Sequence, residues 1–131
     1  MSRVLALDFG EARCGCALSD PTGTLATPLP VVERPDTRRG MQRLASLVRE
    51  RDVALVVVGL PLSLSGEEGP QALLTREWAG RLAARLTGVP VELHDERLTT
   101  AQAARTGGSA DEDSRAAAHL LEAYLAAGAR L

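Results

Sequence analysis

The sequence predicts an α/β domain: a five-stranded mixed sheet, strand order 3-2-1-4-5, with helices on both faces. Three observations carry this. Short strand-like runs at residues 3–8, 13–19 and 24–29 are joined by turns and form a meander. From Asp36 onward, helical periodicity alternates with apolar strands. Right-handed crossovers then place the fourth and fifth strands beside the first and parallel to it.

The first strand, residues 3–8, is short, apolar and without helical period. Phe9-Gly10-Glu11-Ala12 turns the chain into a second strand at 13–19. Its even positions, Cys14, Cys16 and Leu18, face a core; Gly15, Ala17 and Ser19 are small enough to let something approach the other face. Asp20-Pro21-Thr22-Gly23 is a turn. The third strand, 24–29, is an edge strand because of Pro28 and Pro30.

Asp36 is the expected N-cap of a helix running to Glu50, with Met41, Leu44, Leu47 and Val48 on one stripe and arginines on a solvated face. Residues 53–58 are the most hydrophobic strand and end at Gly59. Residues 61–69 form a loop, and Pro70 suits a first helical position. Leu74, Trp78, Leu82 and Leu86 repeat at i+4 as a core stripe, and Gly88 suits C′. The fifth strand is 89–93. Thr99-Thr100-Ala101-Gln102 is a capping-box pattern opening a short helix that ends at Gly107-Gly108. Ser109-Ala110-Asp111-Glu112 opens a last helix to about Ala127.

The chain has 131 residues, 45% hydrophobic and 24% charged. That is the size of one domain spanning 1–131, with enough apolar content to fold. No apolar run reaches the ~18 residues of a membrane span. No basic segment precedes a long apolar one, so the expected address is the cytoplasm. Cys14 and Cys16 are read as small buried hydrophobes: an i,i+2 disulfide is geometrically poor, and two sulfurs do not make a zinc site. Phe9, Trp78 and Tyr124 are the only aromatics, too few for recognition of single strands by stacking. The net charge of −2 neither announces nor excludes a nucleic-acid binder. Arginine supplies all 15 positive charges, each a planar fork suited to phosphate and carboxylate.

Ligands of open α/β sheets collect at the carboxyl ends of parallel strands. The first strand ends there at Asp8. The fifth runs into His94-Asp95-Glu96-Arg97. In the last helix, four and seven steps back along the stripe of Ala117, Leu120, Leu121, Tyr124 and Leu125 lies Asp113. Asp111 steps by four to Arg115 and so looks outward; Glu112 belongs to the capping box. Asp8, Glu96 and Asp113 can thus converge. A cluster of three carboxylates repels itself and calls for cations, and hard oxygen ligands suit one or two Mg²⁺ or Mn²⁺ ions. Two such ions about 3.5–4 Å apart activate water and stabilise the leaving oxygen of a phosphodiester.

Arg13 and Arg97 flank these acids. Each can fork onto substrate phosphate or hold the carboxylates by a salt bridge. Thr100 caps a helix whose N-terminus can also take phosphate. His94 is expected to face away from the acids, and His119 to be a half-buried surface residue. An actin-like nucleotide-binding fold also opens on an apolar strand with Asp and Gly, but it needs two such domains. A non-catalytic RNA-binding assembly factor that has kept the cluster is the other alternative, disfavoured though not excluded by the presence of all three acids.

The segments Val4-Leu5-Ala6-Leu7-Asp8-Phe9-Gly10, Arg13-Cys14-Gly15-Cys16-Ala17-Leu18-Ser19-Asp20, Val58-Gly59-Leu60-Pro61-Leu62 with the Ser65-Gly66-Glu67 loop, Asp95-Glu96-Arg97-Leu98-Thr99-Thr100 and Asp113-Ser114-Arg115-Ala116-Ala117 follow one another along nearly the whole chain. In this the sequence resembles the YqgF/RuvX family of RNase H-like proteins, described as Holliday-junction resolvases or pre-16S rRNA nucleases. The Asp95–Thr100 block is the most specific. The resemblance implies that Asp8, Glu96 and Asp113 are catalytic metal ligands of a nuclease with an RNase H-like fold. It implies structured RNA as substrate, with 5′-end processing of pre-16S rRNA in ribosome biogenesis, or branched DNA cut by the same chemistry. Precursor ribosomal particles are then partners, no membrane is involved, and the protein is a monomer or weak homodimer. Family members often carry a basic stretch before the last aspartate. Here residues 106–112 are acidic, which bears on substrate affinity.

Overall fold

A computed structural model describes residues 3–97 and 110–128. The elements are β1 (Arg3–Asp8), β2 (Arg13–Ser19), β3 (Ala26–Glu33), α1 (Arg38–Glu50), β4 (Val53–Leu60), α2 (Pro70–Arg85), β5 (Val91–Asp95) and α3 (Ala110–Gly128). The sheet order is β3-β2-β1-β4-β5. The meander pairs β1 with β2 and β2 with β3 antiparallel; β4 lies parallel to β1, and β5 parallel to β4. This is the mixed sheet read from the sequence.

Strand alternation divides the apolar residues between two layers. Leu5, Leu7, Cys14, Cys16, Val56 and Val58 meet α1 and α2 through Met41, Leu44, Val48, Trp78 and Leu82. The opposite face presents Ala6 and Ala17 to Ala117, Leu120 and Leu121 of α3. Phe9 and Trp78 stack in the larger layer, ring centroids 4.5 Å apart, and the indole N–H donates to the Pro35 carbonyl at 3.0 Å. No helix among the described residues is long and apolar enough to cross a membrane.

Several boundaries differ from the sequence expectation, each for a physical reason. Thr37, not Asp36, caps α1: its backbone is extended and its hydroxyl accepts from the Gly40 amide at 3.1 Å. The third strand is shifted and longer, passing through both prolines to Glu33. An edge strand has one free side, where a missing N–H costs nothing. Leu74 is 42% exposed, whereas Ala72, Thr75, Trp78 and Leu82 are buried. Each i+4 step rotates about 40° around a helix of 3.6 residues per turn, so a strict i+4 series drifts off the buried face. Helix α2 is capped at Leu86, and Gly88, with φ of 77°, turns the chain two residues later rather than at C′. The fifth strand is shifted two residues along the chain at both ends, Val91–Asp95 against 89–93, and its later end puts Asp95 in the ladder opposite Leu60. The helix expected from Thr99 to Gly107 lies outside the described residues.

Candidate active site

The site is set by one row across the sheet. Asp8 of β1 pairs with Gly15 of β2. One step past the Leu7–Val58 pair, Asp8 comes beside Gly59 of β4, which in turn pairs with His94 of β5. Asp8 lies two positions from Ala6, so its side chain points to the α3 side of the sheet.

Both glycines of this row are places where another residue lies on the strand. A Cβ on Gly15 would lie 2.0 Å from the main-chain oxygen of Asp113, so the first turn of α3 rests directly on β2. A Cβ on Gly59 would lie 3.0 Å from Glu96 Oε1 and 3.1 Å from Leu120 Cδ2. The Glu96 carboxylate therefore covers β4 beside α3. Asp113 over β2, Asp8 on β1 and Glu96 over β4 occupy three adjacent strands on one face. Two strand spacings of about 4.8 Å separate the outer pair of strands. Asp8 and Glu96 are 3% and 0% exposed.

Arg13 Nε donates to Asp113 Oδ2 at 2.8 Å, spanning the start of β2 and the first turn of α3. Burial pushes the nearby Cys14 thiol well above its ordinary value, with Cys16 next in effect and the charges of Asp8 and Asp113 adding to it. Both cysteines are buried and free, as the sequence suggested. Among the described residues, no three His, Cys, Asp or Glu side chains stand within joint reach of one cation. Asp8 and Glu96 lie on the α3 side of the sheet, Glu96 over Gly59 of the row, and the Asp113 carboxylate is held on Arg13.

Arg97 is engaged elsewhere. Its guanidinium bonds the Asp95 carboxylate, at 2.9 Å from Nε and 2.7 Å from Nη2, and reaches the Leu64 carbonyl at 3.3 Å. Gly66, with φ of 91°, passes beneath Nη1. Arg97 thus clips the loop after β4 to the end of β5. Its hydrogen bonds hold the Asp95 carboxyl below the usual carboxylate range. Of the two roles left open for Arg13 and Arg97, both side chains are seen in salt bridges. Thr100 lies outside the described residues.

His94 is a correction. Its ring meets Tyr124 of α3 edge-on at 5.6 Å, so it faces α3 and not the opposite side. Strand alternation counted from Glu96, two residues on, gives that face; counted from Asp95 it gives the other. Tyr124 also donates to Glu92 at 3.0 Å, tying α3 to β5. The sequence reading passed over Gly59 as a mere strand end. A glycine closing a wholly apolar strand was the available signal for a close approach.

The family profile described as "RuvX: Holliday junction resolvase" matches residues 2–127. A curated protein of Nocardioides sp. is 51% identical over 119 residues, covering 79% of this chain and 73% of its own length. One from Anaeromyxobacter sp. is 44% identical over 132 residues, covering 94% of this chain and 96% of its own. Both are named "Putative pre-16S rRNA nuclease". Among solved structures, T. thermophilus RuvC in complex with Holliday junction substrate superposes with a TM-score of 0.60 at 16% identity. The alignment covers 98% of this chain and 96% of that one. A second Thermus thermophilus RuvC structure gives 0.58 at 18% identity, over 97% and 96%. At these identities the likeness is one of fold, the RNase H-like arrangement of sheet and helices.

Proposed function

Because the chain belongs to the RuvX family, we propose that it is a metal-dependent nuclease hydrolysing phosphodiester bonds in structured RNA, at the 5′ end of pre-16S rRNA, with Asp8, Glu96 and Asp113 as its acidic centre. The observation that carries this reading is the placement on one face of the sheet of Asp8 on β1, the Glu96 side chain over Gly59 of β4, and the first turn of α3, with Asp113, over Gly15 of β2. The donor set suits a hard divalent cation. When bound there, one or two Mg²⁺ or Mn²⁺ ions supply charge stabilisation at the phosphodiester and lower the pKa of the attacking water.

The chain's own residues do the rest. Asp8 is fixed by a strand in mid-sheet, and Glu96 is buried against Gly59 and Leu120. Arg13 holds Asp113 in orientation and is the cation nearest a phosphate entering over β2. Arg97 keeps the loop after β4 against the site edge, and Thr100 is a further substrate contact. In this reading the protein acts in the cytoplasm, as a monomer or weak homodimer, on pre-rRNA within precursor ribosomal particles.

Branched DNA is the second substrate, favoured by the family's description and by the RuvC neighbour solved with a Holliday junction. The test is a side-by-side assay on a pre-16S rRNA fragment and on four-way DNA junctions, with Mg²⁺ or Mn²⁺. Cleavage of the RNA by the parent and not by Glu96→Gln is expected. Cleavage of junctions alone transfers the reading to DNA. Cleavage of neither leaves the non-catalytic assembly factor.

A further inference from the structure

The helices on the two faces of the sheet carry opposite charge. Helices α1 and α2 hold seven arginines against Glu50 and Glu77, whereas α3 holds Asp111, Glu112, Asp113 and Glu122 against Arg115. The acidic centre and α3 lie on the second face, and the chain as a whole carries −2. With cations on the centre its three carboxylates are offset, but α3 still carries Asp111, Glu112 and Glu122 against Arg115, so that face offers few basic side chains. The phosphate backbone is the main source of nucleic-acid affinity, through release of its counterions to basic side chains. Further affinity is then to be sought elsewhere on the molecule.

The arginines of α1 and α2 are exposed and grouped. Arg38, Arg81 and Arg85 line one cleft between the two helices. Arg49 and Arg85 line a second. Arg43 lies in a third, between α1 and β3, with Arg51. No ion pair among the described residues neutralises Arg38, Arg39 or Arg43, whereas Arg76 is paired with Glu68.

We propose that the outer face of α1 and α2 is a docking surface for the phosphate backbone of a folded RNA, separate from the cleavage site and on the other side of the sheet. This rests on the nucleic-acid reading above and extends it. The surface supplies affinity without base specificity, and it fits a substrate bulky enough to reach both faces of a small protein. A short strand spanning only the acidic centre does not touch it.

The experiment measures binding of a long pre-rRNA stem-loop to the full chain in Ca²⁺, as a function of salt. The variants are Arg38→Gln/Arg39→Gln/Arg43→Gln and the same three positions changed to Lys. The glutamine variant is expected to lose about 10-fold or more in affinity. Its log–log salt slope is expected to fall by up to about 2.7, at about 0.9 per lost duplex phosphate contact. The lysine variant is expected to restore both, and both variants are expected to cut a short oligonucleotide at the parent rate. An unchanged slope in the glutamine variant overturns the proposal, as does a lysine variant no better than the glutamine one. A parent that cuts nothing while the slope still falls refutes the nuclease reading and leaves the docking surface standing.

Discussion

Gly15 and Asp113 touch through their backbones: any side chain on Gly15 would meet the Asp113 carbonyl at 2.0 Å. The contact fixes the height of α3 above β2, and with it the position of Asp113. Gly15→Ala forces that backbone oxygen to move. Overpacking of this kind costs about 1–3 kcal/mol, and sometimes more. The expected result is a lower melting temperature together with a loss of cleavage larger than a comparable destabilisation elsewhere causes. Ala79→Gly, in the other layer, is the comparison.

Asp8→Asn and Glu96→Gln each remove one charge from a crowded buried face. Asp113→Asn weakens the 2.8 Å bond to Arg13; a small loss of metal-free stability is expected there. Mn²⁺ should raise the melting point of the parent and do so less in all three variants. Cleavage should fall about 100-fold or more in each, since metal stabilisation of transition-state charge is worth several kcal/mol. A double variant that falls by the product of its single losses would falsify the shared centre.

The two arginines separate by readout. Arg13 bonds Asp113; if Asp113 is a ligand as proposed, Arg13→Ala is expected to weaken Mn²⁺ affinity about 10–100-fold by calorimetry, with Arg13→Lys partly restoring it. Arg97 supports a loop. Arg97→Ala is expected to weaken RNA binding more than Mn²⁺ binding. The reverse ranking makes Arg97 the residue that orients the carboxylates.

The hairpin between β2 and β3 carries a pH signature. Asp20 accepts from the Leu25 and Thr24 amides, each at 2.8 Å, and from the Thr22 hydroxyl. The Leu25 amide first, then Thr22, holds the carboxyl far below the usual carboxylate range. A folded-state pKa below the unfolded one means stability that is fully present above about pH 4 and lost as pH falls toward the native value. Asp20→Asn should therefore melt below the parent at neutral pH, with the gap closing under acid. A gap constant down to pH 2 contradicts this.

Much of the architecture was legible because local and global signals agree. The alternation in residues 13–19 separated Cys14, Cys16 and Leu18 from Gly15 and Ala17, and the structure puts α3 on the small side. Stepping back along α3 from Ala117 and Leu120 reached Asp113, which lies over β2. Legibility failed where a tertiary partner decides. Thr37 wins the cap over Asp36 through its own backbone angle and the Gly40 amide, which composition does not reveal. Leu74 looked like core until the neighbouring stripe took Thr75, whose hydroxyl satisfies itself on the Gln71 carbonyl at 2.9 Å. The side on which His94 lies depended on which neighbouring acid set the alternation.

The two apolar layers are unequal. That beneath α1 and α2 holds Trp78, Phe9, Met41 and the larger aliphatics, whereas that beneath α3 is built on Ala6, Ala17, Ala117 and Ala118 with Leu120 and Leu121. Layers with little apolar burial open at lower free energy than the molecule as a whole. The chain carries a spectroscopic label for each: its single tryptophan is sealed in the thick layer, and its single tyrosine sits on α3 against His94. On gentle warming, tyrosine absorbance and amide exchange along α3 are expected to report the alanine-built layer that bears Asp113, and tryptophan emission the other; an early tyrosine signal would mark α3 as the first element to leave, and coincident signals would mark the two layers as one cooperative unit.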